Sequence, residues 1–402
     1  MQAIWETLGE AVRTTAGFFW KSGWAFVLGY TISAAIQAFA PQKKLIRYMG
    51  APSLGSVSIS TAFGSISSSC SFAALAAARS LFGKGAHFIA AVAFMFASTN
   101  LVIELGILIF IFLGWQFLVA ELIGGLLLIT ISSLLIKLTY PQHWIDAARA
   151  KVEEQAPDDD EDFDWRRRIS SLSGWARVGQ GFFGEWAMVW REILVGFTLA
   201  GLIAVFVPDS FWKTIFLAGE NTVGPASFWI VLGNAMVAPF VAAATFIGSM
   251  GNIPLATILA SSGVLFAGIM GFIYSDLMVP PLVKVNAKYY GWPVALYVAV
   301  IMYVSIVCTA LALHYGFHFF DLTPETTRKA ANITTFAFDY TFWLNAAAVL
   351  LIGALLWLKA KGGHADHHQH GQNGWSLQDG LTLVAIATLL VGGVSWAMHQ
   401  LG

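Results

Sequence analysis

The chain has 402 residues, of which 57% are hydrophobic and only 11% charged, with a formal net charge of −1 and a mean hydropathy of +0.69. Soluble globules carry about a quarter of their residues as Asp, Glu, Lys and Arg, so the composition excludes that class and points to a polytopic membrane protein. No basic block calls for a nucleic-acid partner.

Several stretches run about 20 residues with almost no charge, the length of a helix that crosses a hydrocarbon core roughly 30 Å thick. Lipid leaves backbone groups unsatisfied outside helices and closed barrels, and these runs are too long and evenly apolar for barrel strands. The fold class is therefore all-α. Cys70 and Cys308 stand far apart, with no CxxC pair, zinc spacing or disulfide framework. The N-terminus has no basic region ahead of a short apolar core, so the first helix is expected to stay in place as the insertion signal.

Residues 1–16 read as an interfacial helix and about 18–40 as the first spanning helix, closed by Pro41 and the basic group Lys43, Lys44 and Arg47. An interrupted segment follows. It runs from Leu54 through small and apolar residues to a polar tip (Ser65, Ser67, Ser68, Ser69, Cys70, Ser71), then into a short helix over 72–82 that carries Arg79 and ends at Gly83-Lys84-Gly85. Each half is too short to span alone, which fits a re-entrant hairpin. A helix over about 86–113 holds a Ser98-Thr99-Asn100 knot at its middle, and another covers about 115–138. Residues 139–184 are hydrophilic, with an acidic run at Asp158–Asp164 followed by Arg166, Arg167 and Arg168; this reads as a solvated linker or a regulatory contact.

The pattern then restarts. Gly29-Tyr30-Thr31 followed by Pro41 is matched, at the same spacing, by Gly196-Phe197-Thr198 followed by Pro208. Gly114-Trp115 is matched by Gly291-Trp292, the serine-cysteine tip by the stretch from Gly248 to Pro254, and the Ser98–Asn100 knot by Ser275-Asp276. This is an internal duplication of a four-segment unit. Two more helices, about 335–357 and 377–399, lie outside it. The domain reading is 1–138 for an amphipathic helix and the first repeat, 139–184 for a cytoplasmic loop, 185–313 for the second repeat, and 314–402 for two additional helices with a His-rich loop. About eight to ten transmembrane helices result.

With both hairpins re-entrant and the 139–184 loop inside, 17 of the 22 Lys and Arg fall on the inner side, leaving Arg13, Lys21, Lys213, Arg328 and Lys329 outside. That asymmetry follows the positive-inside rule. Each unit then crosses an odd number of times, so the repeats are inverted and their tips meet at the midplane. The second hairpin is the weak point, because its first limb over 228–247 is long enough to span and only Pro239 argues for a break.

Polar groups at membrane depth are expensive and mark substrate paths. The candidate substrate-binding residues are Ser67, Ser68, Ser69, Cys70, Ser71, Ser98, Thr99 and Asn100 from the first unit, with Ser249, Asn252 and Ser275 from the second. For any one serine the alternative is a hydrogen bond to backbone or a neighbouring helix. A helix starting at about Phe72 would aim its free N–H groups at the first tip, and a second helix is expected to start with Asn252 as its cap and Pro254 in its first turn. Cys70 is either a small packed residue or a soft-metal ligand supported by Met95 or Met250; Cys308 reads as packing. Glu104, four residues after Asn100 on one helix face, and Asp276 are the candidate proton carriers, unless each pairs with Arg79, Lys84 or Lys284. The tract His364, His367, His368 and His370 reads as a linker rather than a metal site. No catalytic motif and no nucleotide loop is present, so neither an enzyme nor an ATP-driven pump is expected, and no cofactor.

The stretches SSCSFAALAAARSLFGKGA, FMFASTNLVIELG and GNIPLATILASSGVLFAGIMGFIYSDLMVPP resemble the predicted-permease superfamily that includes the ArsP-type organoarsenical efflux permeases and the YraQ-like proteins. The resemblance covers about Phe18–Val307. It implies a bacterial cytoplasmic-membrane permease, with trivalent organoarsenicals as substrates in one branch; of the tip thiols common among relatives, only Cys70 carries over. The resulting expectation is a secondary permease that moves a small solute, a soft metal or organometalloid species among the candidates, through a midplane site between the two tips. A channel-like or sensing protein without proton coupling is the alternative. Membrane lipid and the solute are the expected partners, and pairing into a homodimer is left open.

Overall fold

The computed structural model describes residues 2–39, 48–67, 71–153, 165–216, 226–324, 336, 338–361 and 377–401. Ser68, Ser69 and Cys70, the Asp158–Asp164 run and the His364–His370 tract lie outside these described residues. Among them every regular element is helical. Among the described residues, six helical stretches are long and apolar enough to cross a bilayer: Phe88–Phe112, Trp115–Thr139, Leu172–Phe206, Phe228–Thr245, Trp292–Phe319 and Tyr340–Lys361.

The first helix, α1 (Gln2–Phe39), is continuous over 38 residues, where an interfacial helix followed by a spanning one was expected. With no proline in the run, its four glycines, Gly9, Gly17, Gly23 and Gly29, do not interrupt the ladder. The helix is about 57 Å long at 1.5 Å per residue, well beyond the hydrocarbon core. It packs along α9 (Leu172–Phe206), the other long helix. Close approach comes from small residues: a side chain at Gly201 would collide with Thr15, whose hydroxyl donates to Ala11 O at 2.9 Å and Phe197 O at 3.3 Å.

Four segments are broken in mid-run. The first is α2 (Leu54–Ser67) and α3 (Ser71–Gly83), on either side of the tip; at 14 and 13 residues, neither reaches across a bilayer. The second is α4 (Phe88–Asn100) and α5 (Ile103–Phe112), where one helix over 86–113 was expected. The polar knot explains this break. Ser98 and Thr99 hydroxyls and the Asn100 amide all donate back to the carbonyls of Met95 or Phe96, competing with the backbone ladder, and Val102 turns extended.

The chain returns through α6 (Trp115–Thr139), and the hydrophilic segment then folds locally into α7 (Gln142–Glu153), α8 (Trp165–Ile169) and the start of α9. A short α10 (Asp209–Ile215) precedes the third broken segment, α11 (Phe228–Thr245) and α12 (Ser249–Ser261). The break does not fall at Pro239, through which α11 continues, but at Phe246 in the left-handed region (φ 55°). The fourth runs from α13 (Phe266–Ile273) through a 3-10 turn (Asp276–Met278) to α14 (Pro280–Tyr290), whose two prolines suit a first helical turn. Then come α15 (Trp292–Phe319), α16 (Tyr340–Lys361) and α17 (Leu377–Leu401).

Matching hydrogen bonds recur at two of the helix ends. After α3, Gly85 takes φ +100° while its N–H bonds to Phe82 O and that of Ala86 to Leu81 O. After α12, Gly263 takes φ +86° and the same two bonds recur, from Gly263 to Ala260 O and from Val264 to Leu259 O. Only a residue without Cβ adopts this helix stop at no steric cost. Gly114 and Gly291, also at positive φ, each open the helix that begins with Trp115 or Trp292. Packing follows suit: α2 and α3 lie on α4 as α11 and α12 lie on α13, while α4 contacts α6 as α13 contacts α15. The last helices close over α1, pinned by the Lys21–Asp339 ion pair at 2.9 Å and by Asn345, which accepts from Trp24 N–H and donates to Trp20 O.

Candidate functional site

Ser71 opens α3 and Ser249 opens α12, and these two helix starts converge. Their hydroxyl oxygens are 3.2 Å apart, and both donate to one oxygen of Asp276, Oδ2, at 3.1 Å and 2.5 Å. All three residues are buried. Asp276 sits in the 3-10 turn between α13 and α14, so its carboxylate comes from non-helical backbone within a packed interior. The positive ends of two 13-residue helices thus face a single negative group. The chain's own carboxylate lies where these helix starts could otherwise hold an anion or a polar ligand.

Small residues bring the second tip in. A Cβ at Gly248, the residue before Ser249, would meet the Glu192 carboxylate on α9, and one at Gly196 would run into Gly251 backbone. The anchor Gly196 therefore marks where α12 crosses α9. The corresponding Gly29 on α1 faces Glu104, whose side chain fills the space a Cβ would need. Glu104 is not on one helix face with Asn100, because the helix breaks between them; it stands in the first turn of α5, where a carboxylate complements the helix dipole.

The other predicted residues are placed as follows. Thr99 borders Asp276. Ser98 and Asn100 spend their hydrogen bonds on ending α4, and the Ser275 hydroxyl donates to Gly271 O at 2.5 Å. Asn252 is not a helix cap: Gly248 holds that position, Asn252 lies in the first turn and reaches back to Ile247 O and Thr245 Oγ1 at 3.5 Å, and Pro254 falls in the second turn. Ser67 offers its carbonyl as an acceptor. Gln37 and Ser33 on α1 donate to Ser67 O at 2.8 and 3.3 Å and also to Glu185 Oε1 on α9, a polar tie beside the first tip. Cys308 is exposed on the outside of α15 rather than packed inside.

Sequence reasoning passed over Glu121, Glu185 and Glu192. The signal was present, since each is a carboxylate inside an apolar run, the pattern that marks functional positions in membrane proteins. Among the described residues no group of three His, Cys, Asp or Glu is arranged to hold a metal ion. A separate cavity of about 730 Å³ opens between α1, α9, α16 and α17, lined by Phe19, Trp20, Phe182, Trp186 and Asn345, and touches none of the predicted site residues.

Broken helices whose ends meet on a buried carboxylate, inside a bundle of membrane-length helices, define a multi-pass membrane protein. The sequence pattern of the predicted permease family ArsP_1 matches residues 7–315. The chain is also similar to the putative permease Rv2963 of Mycobacterium tuberculosis, with 36% identity over 334 residues that cover 78% of this chain and 81% of that one. The protein belongs to the ArsP_1 predicted permease family. No solved structure matches it significantly.

Proposed function

We propose that the protein is a secondary permease of a bacterial cytoplasmic membrane, moving a small solute through a site built on Ser71, Ser249 and Asp276. The observation that carries this reading is the meeting of the two helix starts on one carboxylate. Such a site disfavours an anionic solute, which would have to displace Asp276 from the helix ends. It favours a cation or a neutral polar species that trades places with a proton. A soft metal or a trivalent organoarsenical fits that chemistry, with Cys70, next to Ser71 in sequence, as the candidate thiol. Asp276 and Glu104 are the carboxylates assigned to proton coupling, and the repeats are read as inverted, which requires α11 to turn back at the Phe246 break and α2 at the first tip.

Transport by protein reconstituted in liposomes tests this, with phenylarsine oxide and soft metal ions as probes. Uphill flux driven by a pH gradient, lost in Asp276→Asn, is expected. Downhill conduction unchanged in Asp276→Asn and Glu104→Gln would leave a channel in place of a coupled permease. Thermal stabilisation by thiophilic probes, abolished in Cys70→Ser, tests the metalloid part separately.

A further inference from the structure

Glu121, on α6, has no part in the site described so far, yet its surroundings are unusual. It is 1% exposed, both carboxyl oxygens are buried, and the one hydrogen-bonding side chain that acts on it is the Tyr274 phenol. No basic side chain is among the groups that act on it; these are Asp276 and Tyr274. The Tyr274 phenol lies beside it, but its proton is committed to main-chain carbonyls, donating to Ala120 O at 3.0 Å and Glu121 O at 3.3 Å.

The fold brings α6 against the backbone that carries Asp276. Tyr274 ends α13 two residues before Asp276, and Gly124, one turn beyond Glu121, leaves the space its hydroxyl fills. The adjacent Gly125 takes Leu101, the residue at the other helix break. One face of α6 therefore docks against both interruptions and sets the Glu121 carboxyl within electrostatic reach of Asp276. The second Asp276 oxygen, Oδ1, is buried and lacks a hydrogen bond among the described residues. Glu192 from α9 faces Asp276 from another side, at Gly248, and Thr99 from α4 adds only a hydroxyl.

A buried carboxylate without a counter-ion is very costly in such an interior, and two within electrostatic reach of one another are costlier still. We infer that Glu121 and Asp276 form a carboxyl pair that holds one exchangeable proton between them. When solute engages Asp276 at the Ser71 and Ser249 hydroxyls, the Asp276 O–H bond breaks and an O–H bond forms on Glu121, with no change in total charge. This rests on the reading of Ser71, Ser249 and Asp276 as the solute site, and it makes Glu121 the second seat of the coupling proton.

An infrared pH titration of the protein in lipid vesicles reads the protonated-carboxyl stretch directly and needs no transported solute. Glu121→Gln is expected to remove one carboxyl component and to move the titration midpoint of the Asp276 component by ~1 pH unit or more, as coupled sites do. Asp276→Asn should move the Glu121 component comparably. An Asp276 midpoint that stays fixed in Glu121→Gln overturns the pair. Should Glu121→Gln fail to insert in the membrane, Glu121→Asp, which shortens the acid but keeps it, must still shift both components, and fixed midpoints there overturn the pair equally. Absent solute flux with shifted midpoints would count against the solute site alone.

Discussion

The hydroxyls of Ser71 and Ser249, residues 178 positions apart in the chain, lie 3.2 Å from each other and share Asp276 Oδ2. The site therefore also fastens the two tip helices together. Removing either hydroxyl leaves a buried carboxylate short of a donor, so Ser71→Ala and Ser249→Ala should each cost ~1–3 kcal/mol in thermal or denaturant unfolding. Because they share an acceptor, the double variant should depart from additivity by ~0.5–3 kcal/mol. Additive losses would mean that the two bonds act independently.

Gly29 and Glu104 are a matched pair, since the glutamate side chain occupies the position of a Cβ. Gly29→Ala should destabilise by ~1–3 kcal/mol through overpacking, and Glu104→Ala in the same chain should restore much of the loss. At Gly196 the obstruction is Gly251 backbone, so no side-chain truncation should rescue Gly196→Ala. Equal rescue at both sites would contradict this packing.

Arg149 on α7 reaches the end of α3. Its guanidinium donates to Phe82 O and Ala86 O, both at 2.9 Å, and stacks 4.1 Å from the Phe82 ring centre, while Lys151 donates to Lys288 O at the end of α14 at 2.8 Å. Arg149→Lys keeps the charge but not the two-pronged geometry. It should speed amide hydrogen exchange around Ser80–Ala86 severalfold, and Arg149→Ala more so. Unchanged exchange in both would show that α7 rests on the bundle without holding it.

His87, just ahead of α4, caps that helix by accepting the Ile89 N–H at Nδ1, which only the neutral ring can do. Burial, and then the nearby Arg149 charge, hold its pKa below the ordinary histidine value. The unfolded chain thus binds the proton at higher pH than the folded one. The stability that His87 contributes is full above about pH 6.5, declines as pH falls below it, and is lost once pH passes below the folded-state pKa. His87→Asn, a cap that does not titrate, should flatten this part of a melting-temperature profile against pH. A profile as steep as that of the native chain would assign the acid sensitivity elsewhere.

The sequence by itself determined the helical class, the two limbs around the first tip, and the anchors Gly114-Trp115 and Gly291-Trp292. Each of these is local: apolar run length decides what enters lipid, and a glycine or a dense polar cluster decides where a helix stops. The breaks after Asn100 and at Phe246 were less legible. Serine, threonine and asparagine side chains can either continue a helix or end it, and which they do depends on whether their own carbonyls or a neighbour's are within reach.

Only the tertiary structure decided which carboxylates meet. Glu104 and Asp276 look alike in the sequence as acids near polar knots, but one turns to Gly29 and the other to Ser71 and Ser249. Glu121, within an otherwise apolar helix, comes against Tyr274, two residues before Asp276, because Gly124 leaves room for the phenol. Apolar patterning specifies that a helix is buried, whereas the partner of a buried charge is set by where small residues let backbones approach, and that requires every packed element at once.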